Sequence, residues 1–103
     1  MAAKVIALYG TPTDPAHFND YYFNKHVPIA NTLPGLLGCE VNSSPVMDNS
    51  GKVAHHLAAI LSFDTAAAMQ AALASPEGVA TAADHANFAS GGVQLLFFET
   101  RAV

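Results

Sequence analysis

The sequence predicts an α+β sandwich: one four-stranded antiparallel sheet with helices on a single face. Three observations carry the prediction. Strand-length apolar runs and helical segments follow one another as β-α-β-β-α-β, the two middle runs flank a turn-forming stretch, PVMDNSGK, and 103 residues form one domain, 1–103, near the commonest domain size.

The elements follow in order. KVIALY (4–9) is apolar throughout and stops at Gly10, as a strand does. GTPTDP then turns the chain, Asp14 is suited to cap a helix that begins at Pro15, and Phe18, Tyr22, Ile29 and Leu33 recur at helical spacing. Pro28 has no N–H to continue the ladder, so a kink or break is expected around Val27, with PIANTL as a second short turn. The strand-like runs LLGCEVNSS (36–44) and VAHHLAAILSF (53–63) form a hairpin whose turn chemistry lies in Asn49, Ser50 and Gly51. Asp64 is placed to cap DTAAAMQAALAS, and Ser75 with Pro76 to cap a further helical piece running toward Asn87. GGVQLLFFET supplies the last strand. This order is that of a ferredoxin-like sandwich.

Both faces of the predicted sheet are apolar. Leu57, Ala59, Leu61 and Phe63 point one way and Ala58 and Ile60 the other; Val93, Leu95 and Phe97 oppose Leu96 and Phe98. Two helices cover one face. Leaving the other wet would forgo roughly 1.5–3 kcal/mol for each large side chain, so a homodimer packed sheet to sheet is expected.

Composition narrows the function. Charged residues are 12% of the chain, the net charge is −4, and only Lys4, Lys25, Lys52 and Arg101 are basic, which argues against nucleic acid or an anionic membrane as partner. A lone Cys39 excludes an internal disulfide. The first apolar run, VIALY, is too short for a signal peptide or a span, so a cytoplasmic location is expected.

Three stretches, LYGTPTDPAHF, YYFNKHVPIANTLPGL and SPEGVATAADHANFASGG, together resemble the EthD-like family of the dimeric α/β-barrel superfamily, over essentially the whole chain. The resemblance implies a ferredoxin-like subunit, a homodimer whose two sheets form a barrel-like core, and a cavity between helices and sheet in each subunit. The family name comes from bacterial degradation of a fuel ether, and the superfamily includes lactone isomerases, polyketide cyclases and cofactor-free monooxygenases. That range settles architecture rather than reaction.

The first helix holds the candidate site. Phe18, Tyr22, Ile29 and Leu33 lie within about 60° of one another on a helical wheel, and His26 stands at about 80°, beside that stripe and next to the expected break. A partly buried imidazole there is suited to accept or donate a proton, or else merely to satisfy a loose helix-end carbonyl. Tyr22, one turn earlier, is suited to orient a ligand or stabilise an oxyanion, with an aromatic core body as the competing role. His26 and Tyr22 are the expected catalytic pair, and Tyr9, Phe18, Asp84 and Asn87 the expected ligand contacts. Tyr21 is a weaker candidate. Helix-end capping competes for Asp84 and Asn87, and Phe88 reads as core. The adjacent His55 and His56 point to opposite faces of a strand and cannot easily chelate one ion, and no other pattern supports a metal. Cys39 reads as an apolar filler, and Gly91-Gly92 as a turn rather than a phosphate loop. No cofactor is expected. Three functional readings stand: a cofactor-independent isomerase, cyclase or monooxygenase acting on an apolar or aromatic metabolite; a non-catalytic binding protein supporting an oxidoreductase degradation pathway; and a structural dimer without ligand.

Overall fold

A computed structural model describes all residues, 1–103. Strand β1 (Ala3–Tyr9) lies inside a four-stranded antiparallel sheet ordered β2-β5-β1-β6, where β2 is Gly38–Val41, β5 is Leu57–Phe63 and β6 is Val93–Glu99. The helices α1 (Pro15–Tyr21), α2 (Val27–Ala30), α3 (Ala66–Ala74) and α4 (Pro76–Asp84) complete a ferredoxin-like α+β architecture. None is long and apolar enough to cross a membrane.

Register fixes which side chains meet the helices. Across the sheet Cys39 pairs with Leu61, Leu61 with Val5 and Val5 with Phe97; the next row runs Val41, Ala59, Ala7 and Leu95. Tyr9, Phe18 and Phe63 are its largest fully buried side chains. The alternate positions form the other face, where Ile60, Leu96 and Phe98 are 37%, 40% and 45% exposed. The helices leave that apolar face uncovered, as period-two patterning predicts.

Four expectations are corrected. Pro28 does not break the helix. The backbone widens through one π turn, Tyr22–His26, in which the Val27 N–H reaches the Tyr22 carbonyl, and α2 continues directly from it with Pro28 in its first turn. The wide turn also shifts the phase of the helix: the buried line is Phe18, Tyr22, His26 and Ala30, while Ile29 is only half-buried. His26 is therefore central to the stripe rather than beside it. Thr65, not Asp64, caps α3, its hydroxyl accepting from the Ala68 N–H. The long hairpin is divided, because β4 (Val53–His55) stops at His56 and pairs instead with β3 (Val46–Met47) as a two-stranded tip beyond β2 and β5. Asp14 and Ser75 cap α1 and α4 as expected.

Candidate active site

Small side chains make the void. Ala7 and Ala59 face each other in register on the sheet, and above them Ala30 and Gly78 bring α2 and α4 close without filling the space between. A Cβ on Gly78 would stand 2.3 Å from the Ala72 carbonyl oxygen, so only glycine lets α4 cross the end of α3 here. The resulting cavity of about 60 Å³ is lined by 19 residues, 14 of them hydrophobic. One water needs roughly 10–15 Å³ on that measure, so several waters or one small ring fit. Asn31 and Phe97, both exposed, belong to its lining, which reaches the surface there.

Polar groups enter this apolar space from two helices. Tyr22 and His26 come from the π turn, one wide turn apart on the same line. From the other side, Gly78, Thr81, Ala82 and His85 form a helical stripe along α4 and the short 3₁₀ turn His85–Asn87.

Behind His26 stands a hydrogen-bonded support. Its Nδ1 is 2.8 Å from Asp84 Oδ2, with both side chains buried. The other carboxylate oxygen accepts from the Tyr21 hydroxyl at 2.7 Å and from Asn87 Nδ2 at 2.9 Å. Burial acts to raise the Asp84 pKa, but the hydrogen bonds from Asn87, Tyr21 and His26 outweigh it and hold the carboxyl below its usual range. A carboxylate can only accept, so Nδ1 of His26 carries the proton. Burial lowers the His26 pKa below its ordinary value, and the pull of Asp84 in the other direction is weaker. The ring is thus neutral, with its lone pair on Nε2.

No fully enclosed side-chain nitrogen or oxygen in the chain lacks a partner. His26 Nε2 and the Tyr22 hydroxyl have no protein partner, so each keeps some exposed surface, and both residues line the cavity. An acceptor and a hydroxyl thus belong to residues lining one apolar chamber, an arrangement suited to moving a proton.

Tyr9 also lines the cavity, its hydroxyl 3.0 Å from His85 Nε2. Asp84 and Asn87 lie behind His26 rather than on the wall, as does Tyr21. Phe18 is buried against Tyr9, Tyr22 and Phe88 and does not reach the cavity. Neither His55 nor His56 reaches it; His56 meets Asn19 through Nε2 and packs edge-on to Phe18. Cys39 lines the wall, and burial raises its pKa, which keeps it a thiol. No cluster of three metal-ligating side chains occurs. His85 is the residue that the sequence reading missed. Its signal was the i, i+3, i+4, i+7 spacing from Gly78.

These groups predict a two-sided stability profile. Burial lowers both His26 and His85 from 6.5, His85 to about 4, so below pH 6.5 the unfolded chain takes up protons first and stability falls as pH drops through the folded values. Burial raises Tyr9 and Tyr22 above 10.0, so above that pH the unfolded chain loses protons first and stability falls again. Burial also raises Cys39 above 9.0, which starts the alkaline fall earlier, so the melting temperature is expected to plateau between about pH 7 and 9 and to drop on both sides. Scanning calorimetry against pH checks this; a melting temperature that climbs between pH 6.5 and 4 contradicts the buried neutral histidines.

An EthD domain profile matches residues 10–92. The chain is 40% identical over 100 residues to an uncharacterized 11.0 kDa protein in the thcB-thcC intergenic region of Rhodococcus erythropolis, covering 97% of this chain and 96% of that one. A crystal structure of an ethyl tert-butyl ether D (EthD) family protein from Bacillus halodurans matches with a TM-score of 0.87 and 32% identity, over 98% of this chain and 100% of that one. SnoaB, a cofactor-independent oxygenase from Streptomyces nogalater, shares the fold with a TM-score of 0.69 at 17% identity, over 99% and 95% of the two chains. Other proteins sharing the fold, at 16–19% identity, are described as dimeric.

Proposed function

The chain belongs to the EthD family, and we propose that it is a small cofactor-independent enzyme that moves a proton on a neutral, apolar or aromatic metabolite. One observation carries this reading. Asp84 fixes Nδ1 of a buried, neutral His26, whose Nε2 has no protein partner and whose ring lines an apolar cavity. His26 is the proposed base, and the Tyr22 hydroxyl is placed to meet the oxygen on which charge develops. No lysine, arginine, aspartate or glutamate lines the cavity, and burying a charged substrate there would leave its charge unpaired. The substrate is therefore uncharged.

Isomerisation, cyclisation or oxygenation at an acidic carbon can each begin with loss of such a proton, so the testable event is the proton transfer itself. A neutral ketone with an acidic C–H, 2-indanone, in deuterated buffer should exchange its ring-methylene protons faster with the protein present. Loss of that acceleration in His26→Ala supports the enzyme. Bound ketone with no accelerated exchange in the unaltered protein would indicate a carrier instead.

The open sheet face is proposed to pair with its counterpart in a second copy. Ile6, Leu8, Ile60, Leu96 and Phe98 share that face, and Lys4, the one basic residue among them, donates from Nζ to Ser62 Oγ at 2.7 Å. Sedimentation at micromolar concentration should give a dimer, and Ile60→Glu, which sets like charges across a two-fold contact, should shift it to monomer. A well-behaved monomer from the unaltered chain contradicts this pairing.

A further inference from the structure

The second histidine of the cavity has its own hydrogen-bond partner, and its polarity at the cavity is opposite to that of His26. Tyr9 is 1% exposed, and the one side-chain partner of its hydroxyl is His85 Nε2 at 3.0 Å. Tyr9 keeps its proton, because burial raises its pKa well above the usual tyrosine range. That proton needs an acceptor, and Nε2 of His85 is the one within reach. Nε2 therefore supplies a lone pair, and the hydrogen of a neutral His85 ring sits on Nδ1.

Nδ1 has no protein partner, yet no enclosed polar side-chain atom is unsatisfied, so this N–H keeps exposed surface on a ring that lines the cavity. The His26 and His85 rings lie 5.0 Å apart between centroids. Both rings carry the proton on Nδ1, but different ends of the two rings are left without a protein partner. His26, anchored through Nδ1 to a carboxylate, offers a lone pair. His85, anchored through Nε2 to a hydroxyl, offers an N–H.

We infer that His85, set in its tautomer by Tyr9, is the hydrogen-bond donor for the oxygen of a neutral carbonyl substrate whose adjacent C–H faces His26. The inference rests on the proton-transfer role proposed above. The step balances without an external reagent: the C–H bond breaks, its proton goes to His26 Nε2, its electron pair forms a C=C bond, and the C=O π pair moves onto the carbonyl oxygen. There the His85 N–H and the Tyr22 hydroxyl meet the developing charge. Reversal at the same or another carbon returns the proton. A neutral imidazole can polarise a carbonyl in this way, and a cation there would instead compete with His26 for its resting neutral state. The groups facing these rings are Asp84 and Tyr22 beside His26, and Tyr9 beside His85, with Phe88 packed against both rings.

Histidine ¹⁵N–¹H correlation spectra of the full chain at pH 7.5 read both rings separately. The expected result is the Nδ1–H tautomer for each. Tyr9→Phe, which removes only the hydroxyl, should move His85 toward the Nε2–H form and leave His26 unchanged. Added 2-indanone should shift the His85 Nδ1–H resonance, and the hydrocarbon indane should not. An Nε2–H His85 in the unaltered protein, an unmoved tautomer in Tyr9→Phe, or no shift with the ketone overturns the assignment. The base reading fails separately, if His26 is found protonated on Nε2.

Discussion

Asp84→Ala is expected to destabilise the protein by about 3 kcal/mol, a drop on the order of 10–20 °C in melting temperature for a domain of this size. Asp84 is 6% exposed and holds three donors that belong to different parts of the chain: Tyr21 in α1, His26 in the π turn and Asn87 in the 3₁₀ turn. Removing the carboxylate leaves the buried His26 N–H without an acceptor and opens a small void at the end of α4. Asp84→Asn keeps the shape, yet its amide presents one oxygen where three donors converged, so it should fall between the two in thermal denaturation. If both substitutions leave the melting temperature within about 2 °C, the buried acceptor contributes little to the fold.

His26→Ala is expected to lower protein-accelerated exchange of 2-indanone by on the order of 10²–10⁴-fold, the usual contribution of a positioned base. The other polar groups at the cavity are poor substitutes. Burial holds Tyr22 and Tyr9 protonated, and the His85 lone pair is committed to the Tyr9 hydroxyl. Asp84 keeps its bonds to Tyr21 and Asn87 in this variant, so the fold should survive, which circular dichroism and sedimentation check. Ala59→Leu offers a control from the opposite wall. It fills the cavity from the sheet, leaves the His26–Asp84 bond untouched, and should abolish exchange by excluding the ketone. Unchanged exchange in His26→Ala removes the proposed base.

The sheet was legible because its side chains alternate strictly. Leu57, Ala59, Leu61 and Phe63 are buried and their neighbours are not, as a period of two requires. The caps at Asp14 and Ser75 were legible for the same local reason, a polar side chain just ahead of a proline at the start of a helix. Capping of α3 was ambiguous between the adjacent Asp64 and Thr65, and the hydroxyl took the role.

The site was legible only in part. His26 and Tyr22 stood out because polar groups interrupt an apolar stripe, but a wheel of constant pitch misplaced His26, since a π turn changes the phase by a residue. Nothing local to His26 announces Asp84, its partner 58 residues away; their pairing depends on how α4 crosses α1 and α2. His85 sat unrecognised one residue after Asp84. Its role follows from contact with Tyr9, 76 residues earlier. The cavity itself arises from what is missing at Ala7, Ala59 and Gly78, and small residues give no signal until the register brings them together.

The most direct measurement is a crystal structure of the protein with 2-indanone bound. The expected arrangement has the ketone inside the cavity, its acidic carbon within about 3.5 Å of His26 Nε2 and its oxygen toward His85 and Tyr22. A ketone bound elsewhere, or a His26 Nε2 sealed off from the cavity, would contradict it.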